Sequence, residues 1–421
     1  MQSRILPAAM AAAIITAAGT AWSAPVETIL HSFTAKADGG FPHAGLITDA
    51  SGALYGTNTS GGTGPAGVVF KLTPPTAGQT AWTETVLYNF TGGADGGGVY
   101  ANLMMDKSGA LYGTTITGGT NGVGLVFKLT PPAAGGTAWT QTVLYAFSGG
   151  ADGSIPESVL TEDSTGALYG STTLGGANGV GTIFKLTPPA AGATAWTETV
   201  LHSFTAATDG GVPFGNLLMD KAGALYGTAA GLGPHDNGTV FKLSPPVNAG
   251  SAWKLHLLHV FLGGLNGGFP EAGLITDSTG ALYGTTAGGG TSHGTVFKLT
   301  PQANGDGPWV PTILWRFGGA GLDGNGPWAS VSEDASGALY GTTLAAGPSP
   351  LGSVFKLTPP ASGGSAWTES TLVRFTKGEG GQFPYSNILV GAGGTLYGTT
   401  YGSVNQTTGK PFPGTVFQIT Q

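Results

Sequence analysis

Hydrophobic and polar positions along this chain come in short bursts. A run of five or six β-branched, aromatic or aliphatic residues closes at Gly, Pro, Asn or Asp, and another run follows soon after. Thr85-Val86-Leu87-Tyr88-Asn89-Phe90 is one such run, succeeded by the glycine-rich Thr91 to Gly98. Ala101 to Asp106 is the next, and Lys107-Ser108-Gly109 turns it into Ala110-Leu111-Tyr112-Gly113-Thr114-Thr115. After the loop Thr117 to Gly124 comes Val126-Phe127-Lys128-Leu129-Thr130, stopped by Pro131-Pro132, which cannot donate to a strand ladder. Runs of this length with these boundaries predict four β-strands joined as a meander.

The pattern recurs at one spacing. Tyr55, Tyr112, Tyr169, Tyr226, Tyr283, Tyr340 and Tyr397 each sit in a Leu-Tyr-Gly element, 57 residues after the last. A fixed period of this length marks stacked supersecondary units, none of which buries its apolar face alone. Seven four-stranded units predict an all-β fold, a seven-bladed β-propeller over residues 25–421. The first run, Thr28-Ile29-Leu30-His31-Ser32-Phe33, copies the strand that elsewhere comes fourth, whereas the chain ends at Val416-Phe417-Gln418-Ile419-Thr420, a third strand. The N-terminal strand is therefore expected to complete the last blade and close the ring, leaving no free edge.

The runs Gly280-Ala281-Leu282-Tyr283-Gly284-Thr285-Thr286 and Gly294-Thr295-Val296-Phe297-Lys298-Leu299-Thr300-Pro301 carry a resemblance. They resemble the GloVer tandem repeat of exported "choice-of-anchor" bacterial proteins, and the likeness extends over essentially the whole chain after its leader. The resemblance implies an exported or surface β-repeat protein and brings no settled activity with it. Such proteins often end in a surface-sorting segment; this sequence reaches Gln421 without one, so export without anchoring is the expectation.

Composition narrows the picture further. Only 9% of residues are charged while 77 are glycine, yet the 40% hydrophobic content falls in regular short runs, which favours a packed β fold over disorder. The formal net charge of −7, three arginines and the lack of a basic cluster argue against a nucleic-acid partner. Without cysteine there is no disulfide and no thiol chemistry. Residues 1–24 read as a signal peptide: Arg4, then the apolar run Ile5 to Ala18, then small residues. Gly19-Thr20-Ala21 is the best cleavage triplet; Ala24 is weaker because Trp22 would stand at −3 and Pro25 would follow. No other segment is apolar over a bilayer's thickness, so no membrane insertion is expected. A secreted or periplasmic monomer follows.

Most repeated polar residues have structural explanations. Asp49, Asp106, Asp163, Asp220, Asp277 and Asp334 each precede a Gly by three, as in an Asx-stabilised turn. One carboxylate per turn falls far short of the six or more oxygens that calcium takes. Asp38, Asp95, Asp152, Asp209 and Asp323 form a second series, with Asn266 in one copy, so an accepting oxygen matters there more than charge. Lys71, Lys128, Lys185, Lys242, Lys298 and Lys356 are each followed 11 residues later by Trp82, Trp139, Trp196, Trp253, Trp309 and Trp367. The last copy lacks both, which suggests that ammonium and indole meet across a hairpin. The alternative is a ring of exposed Trp acting as sugar-stacking platforms.

Positions that diverge within so regular an array are the candidates for function. The strand entered from each Asp-Gly loop starts with a small residue, Ala44, Ala101, Ser158, Gly215, Ala272, Ala329 or Ser386, as suits the crowded axis. Immediately before these stand His43, Tyr100, Glu157, Phe214, Glu271, Trp328 and Tyr385, all large and of five types. They are expected to ring one mouth of the central channel as a ligand-binding site, with the bland alternative of an unconstrained solvent-exposed rim. The ligand class this suggests is a glycan, or else a protein partner, bound without catalysis and without a cofactor. Catalytic residues are not identifiable. A polysaccharide hydrolase or lyase built from Glu157, Glu271 and His43 is the competing reading, and it requires carboxylates about 5–10 Å apart although blades three and five are not adjacent. His235, Asp236 and His293 lie in loops on the same face, too far around the ring to join His43 at a metal, so no metal site is expected.

Overall fold

The computed structural model describes residues 24–248, 250–290, 293–302, 305–318, 323–345, 351–361, 364–376, 381–404 and 411–421. The expected leader lies outside the described residues except for Ala24. The described residues form seven four-stranded antiparallel sheets and one small two-stranded ribbon, and the seven sheets are the blades of a propeller. The first blade shows the pattern. Its strands β2 (Ile47–Thr48), β3 (Leu54–Asn58), β4 (Val68–Thr73) and β5 (Thr83–Asn89) run from the axis outward in chain order.

The innermost strand is shorter than the sequence suggests, only two residues in each blade. Its preceding backbone is spent on neighbours instead. The hydroxyls of Thr228, Thr285, Thr342 and Thr399 donate to the carbonyls of Ala272, Ala329, Ser386 and Ala44 in the following blade, at 2.8–2.9 Å. Backbone groups satisfied by side chains have no need of a ladder.

Ring closure follows the expectation. Strand β1 (Val26–Ser32) pairs antiparallel with Thr415–Thr420, giving the last blade the order Leu389–Val390, Leu396–Thr400, Thr415–Thr420, β1 from inside to outside.

The Leu-Tyr-Gly element has a separate reason for each residue. The leucines are buried in the core. The glycines admit the phenylalanine of the next strand: a Cβ on Gly170 would stand 2.6 Å from Phe184 Cζ and 3.1 Å from Leu160 Cδ2, and the other six meet the same obstruction. That phenylalanine then meets one from the outer strand of the preceding blade. Seven such pairs, from Phe33–Phe70 to Phe375–Phe417, have centroids 5.0–5.4 Å apart in tilted or edge-on geometry. The tyrosine hydroxyl donates to the Asx turn, as Tyr55 does to Asp49 at 2.8 Å, while the same carboxylate accepts the Ser51 and Ala53 amides.

One expectation is corrected. Each repeated lysine lies over the tyrosine on the neighbouring strand of its own blade, 4.9–6.0 Å from the ring centroid, rather than over the tryptophan. The tryptophans pack instead on the tyrosine of the preceding blade, with centroids 6.2 Å apart for Trp82 and Tyr397 and 6.3 Å for Trp253 and Tyr169. Register explains the error: Lys71 stands directly opposite Tyr55, whereas Trp82 precedes its strand and projects across the blade interface. These indoles are staples between blades, which gives their repetition a packing role.

Candidate functional site

All seven divergent residues line one cavity at the mouth of the channel, of about 260 Å³. They are held there by a repeated backbone device. Each is preceded by two residues of fixed habit: Phe41-Pro42-His43, Ile155-Pro156-Glu157, Val212-Pro213-Phe214, Phe269-Pro270-Glu271, Gly326-Pro327-Trp328 and Phe383-Pro384-Tyr385, with Gly98-Val99-Tyr100 in the one blade lacking the proline. The first residue of each triplet is left-handed, with φ from 56° to 65°. For Ile155 and Val212 that conformation is strained, since β-branched residues rarely adopt it.

The proline locks the next residue by wedging into the preceding blade. Pro156 Cδ would lie 2.6 Å from a Cβ on Gly124, and Pro42, Pro213, Pro270, Pro327 and Pro384 stand equally close to Gly414, Gly181, Gly238, Gly294 and Gly352. Glycine is required at those six positions by this close approach as well as by positive φ. A left-handed residue, a rigid ring and a glycine seat thus aim six of the seven mouth side chains, all but Tyr100.

The cavity has two unlike halves. On one side runs an aromatic arc. His43 stacks on Tyr385, with centroids 4.8 Å apart and planes 21° apart, and meets Tyr100 at 4.9 Å. Trp328 stands edge-on to Tyr385 at 5.8 Å and is 41% exposed. Tyr401 caps the arc, 5.4 Å from Tyr385 and 6.1 Å from His43. On the other side Glu157 and Glu271 flank Phe214 in the ring order.

Burial governs the electrostatics. It pulls the His43 imidazole down to about 4, so this ring is neutral near pH 7. Burial pushes Glu157 up to about 7, with a further upward contribution from the charge of Glu271, and burial alone pushes Glu271 up to about 7. Burial likewise raises Tyr100, helped by Tyr401 and Glu157. The two glutamates that are not on adjacent blades therefore share one cavity and sense each other.

Below the mouth the channel narrows to a second, more polar space of about 120 Å³. Asn102, Asn216 and Asn387 enter it from the position two residues beyond the ring. Asn102 accepts from the Gly45 amide at 2.6 Å and donates to Asn387 at 2.8 Å. These amides, and Tyr401, escaped the sequence reading. The asparagines carry a signal, since 57-residue spacing aligns them with Gly45, Val159, Gly273 and Ser330 as a second divergent series. Tyr401 carries the same kind of signal, since 57-residue spacing aligns it with Thr59, Ile116, Thr173, Ala230, Ala287 and Leu344. His235 and His293 do not line the cavity. Among the described residues no group of three His, Cys, Asp or Glu side chains is placed to hold a metal ion, and no helix is long and apolar enough to cross a membrane.

The model of the family described as "Gloeobacter/Verrucomicrobia repeat" matches residues 15–163 and 133–307. No curated protein matches the chain in sequence. Among solved structures, the fold is similar to that of a putative 6-phosphogluconolactonase from Bacteroides uniformis ATCC 8492, with TM-score 0.52 and 15% identity over 89% of this chain and 99% of that one. A glucose dehydrogenase (TM-score 0.43, 16% identity, 94% of this chain and 99% of that one) and a luciferin-regenerating enzyme (0.45, 13%, 94% and 95%) are further neighbours.

Proposed function

Since the chain belongs to the Gloeobacter/Verrucomicrobia repeat family, we propose that it is an exported binding protein whose ligand, a sugar unit of a glycan, sits in the channel-mouth cavity. The observation that carries this reading is the convergence of seven divergent side chains, six of them on the same rigid pedestal, around one concave space. Aromatic faces supply contact area and a few polar groups orient the occupant, as small-molecule sites require. The volume lies just under the range of roughly 300–1,000 Å³ usual for drug-sized ligands, so a single sugar ring is the right scale. Binding here needs no cofactor and no second copy of the chain.

A glycan array followed by calorimetric stoichiometry tests this. One site per chain is the expected result. Several sites per chain, or no binding to any glycan, would overturn it.

A second reading has one observation in its favour: Glu157 and Glu271 face the same cavity, and glycoside hydrolases work with a pair of carboxyl groups facing one site. Glu157→Gln and Glu271→Gln decide between the two. Loss of polysaccharide turnover with retained binding supports hydrolysis or elimination; binding with no turnover in the wild type supports recognition alone.

A further inference from the structure

We infer that the occupant of the channel mouth carries a protonated amine, held between the Glu157 and Glu271 carboxyls while its carbon skeleton lies against Tyr385 and Trp328, and that the ligand class is therefore an amino sugar. This deepens the binding reading and rests on it.

The inventory of the cavity wall leads there. The lining offers two carboxyl groups and several π-faces, and no Lys or Arg. Its one imidazole is sandwiched between Tyr385 and Tyr100, with centroids 4.8 and 4.9 Å away. A buried His43 of this kind stays uncharged near neutral pH and supplies no counter-charge. Every fixed charge that can develop in the cavity is thus negative.

The Asp carboxylates of the turns behave differently. The turn aspartates accept two amides and a tyrosine hydroxyl, and several have a lysine within 4 Å, as Lys71 stands 3.7 Å from Asp49. Glu157 and Glu271 have no hydrogen-bond or ion-pair partner among the described residues, and they face a cavity. Burial holds their protons on to about pH 7, helped at Glu157 by the charge of Glu271. An ammonium group between them replaces the missing partner and lets both ionise.

The aromatic wall suits the same guest. A cation is attracted to the faces of Trp, Tyr and Phe, and Phe214 lies between the two glutamates in ring order while Tyr100 is near enough to Glu157 to sense its charge. The other residues lining the cavity are Tyr385, Trp328 and the neutral His43, none of which competes as a cation. A neutral sugar can donate its hydroxyls to the same carboxylates but brings no charge to offset theirs.

Calorimetry with glucosamine, glucose and N-acetylglucosamine at pH 7 and low salt provides the test. Glucosamine is expected to bind at least about tenfold more tightly than the other two. The preference should vanish at pH 5, where Glu157 and Glu271 both keep their protons, and in the Glu157→Gln/Glu271→Gln double variant, whose melting temperature, no lower than that of the wild type, shows that it has folded. If glucose or N-acetylglucosamine binds as tightly as glucosamine, the amine is wrong and the sugar site stands. If none of the three binds, the sugar site itself falls and the amine with it.

Discussion

Thr399 donates its hydroxyl to the backbone carbonyl of Ala44 over 2.9 Å, joining residues 355 positions apart in the chain. That bond crosses the seam between the last blade and the first, and β1 crosses it again by pairing with Thr415–Thr420. Deleting Val26 to Thr34 removes the pairing and the Phe33–Phe70 contact together and bares a sheet edge. The expected loss exceeds the roughly 2–5 kcal/mol of a single large-to-small core change. A melting curve unchanged by the deletion would refute the clasp.

Trp328→Ala removes the most exposed ring of the aromatic arc. Binding should weaken by a hot-spot amount, on the order of 2 kcal/mol, with little change in thermal stability because the side chain is at the rim. Titration of the variant with the sugar that binds the wild type most tightly measures it. Wild-type affinity would place the ligand elsewhere.

Ile155 and Ile183 make a matched pair for testing strain. Ile183 is fully buried in a strand, so replacing it with Gly should cost several kcal/mol, about 3 or more. Ile155 is half-buried at φ 56°, where strain of about 1–3 kcal/mol is released by Gly and offsets the entropy glycine adds to the unfolded chain. Ile155→Gly should therefore leave the melting temperature nearly unmoved while loosening Glu157. Comparable losses in the two variants would show that the pedestal is unstrained.

Stability should depend on pH in an unusual direction. Burial raises Glu27, Glu84, Glu157, Glu198, Glu271 and Glu369 from 4.5 to about 7. Between those values the folded chain keeps protons that the unfolded chain has released, so stability falls as pH rises through the window and levels off above it. Glu27, Glu84 and Glu198 each bury a carboxyl oxygen with no partner, and Gln141, at the equivalent position, donates its amide to the Asp95 carbonyl at 3.2 Å, which a protonated glutamate would imitate. The turn aspartates work the other way: hydrogen bonds from the turn hold Asp49 down to about 2 against the opposing effect of burial, and their contribution is lost as pH falls from 3.8 through that value. The melting temperature should peak near pH 4–5, and a higher value at pH 8 than at pH 5 would contradict this account.

Much of this was legible because it repeats. Seven equally spaced tyrosines and a strand displaced from one end to the other give the blade count and the closure, and divergence at one register picks out the residues from His43 to Tyr385 that line the cavity. Contacts between repeats were harder to read. Lys71 and Trp82 keep a constant separation because both belong to one blade, yet the tyrosine under the ammonium belongs to that blade and the tyrosine under the indole to the preceding one. Constant spacing reports a shared framework, and says nothing of which neighbour a side chain leans on. Tyr401 shows the other limit: it stands in register with Thr59, Ile116, Thr173, Ala230, Ala287 and Leu344, and nothing in the spacing shows that the one ring of this series reaches the mouth.

The proline wedge has an implication for how such a mouth changes over time. Because backbone conformation at six of the seven ring positions is dictated from below, by a glycine in the preceding blade, the side chain above can be exchanged without renegotiating the scaffold. Six sockets of one pattern then accept substitutions independently, and new selectivity is written one blade at a time.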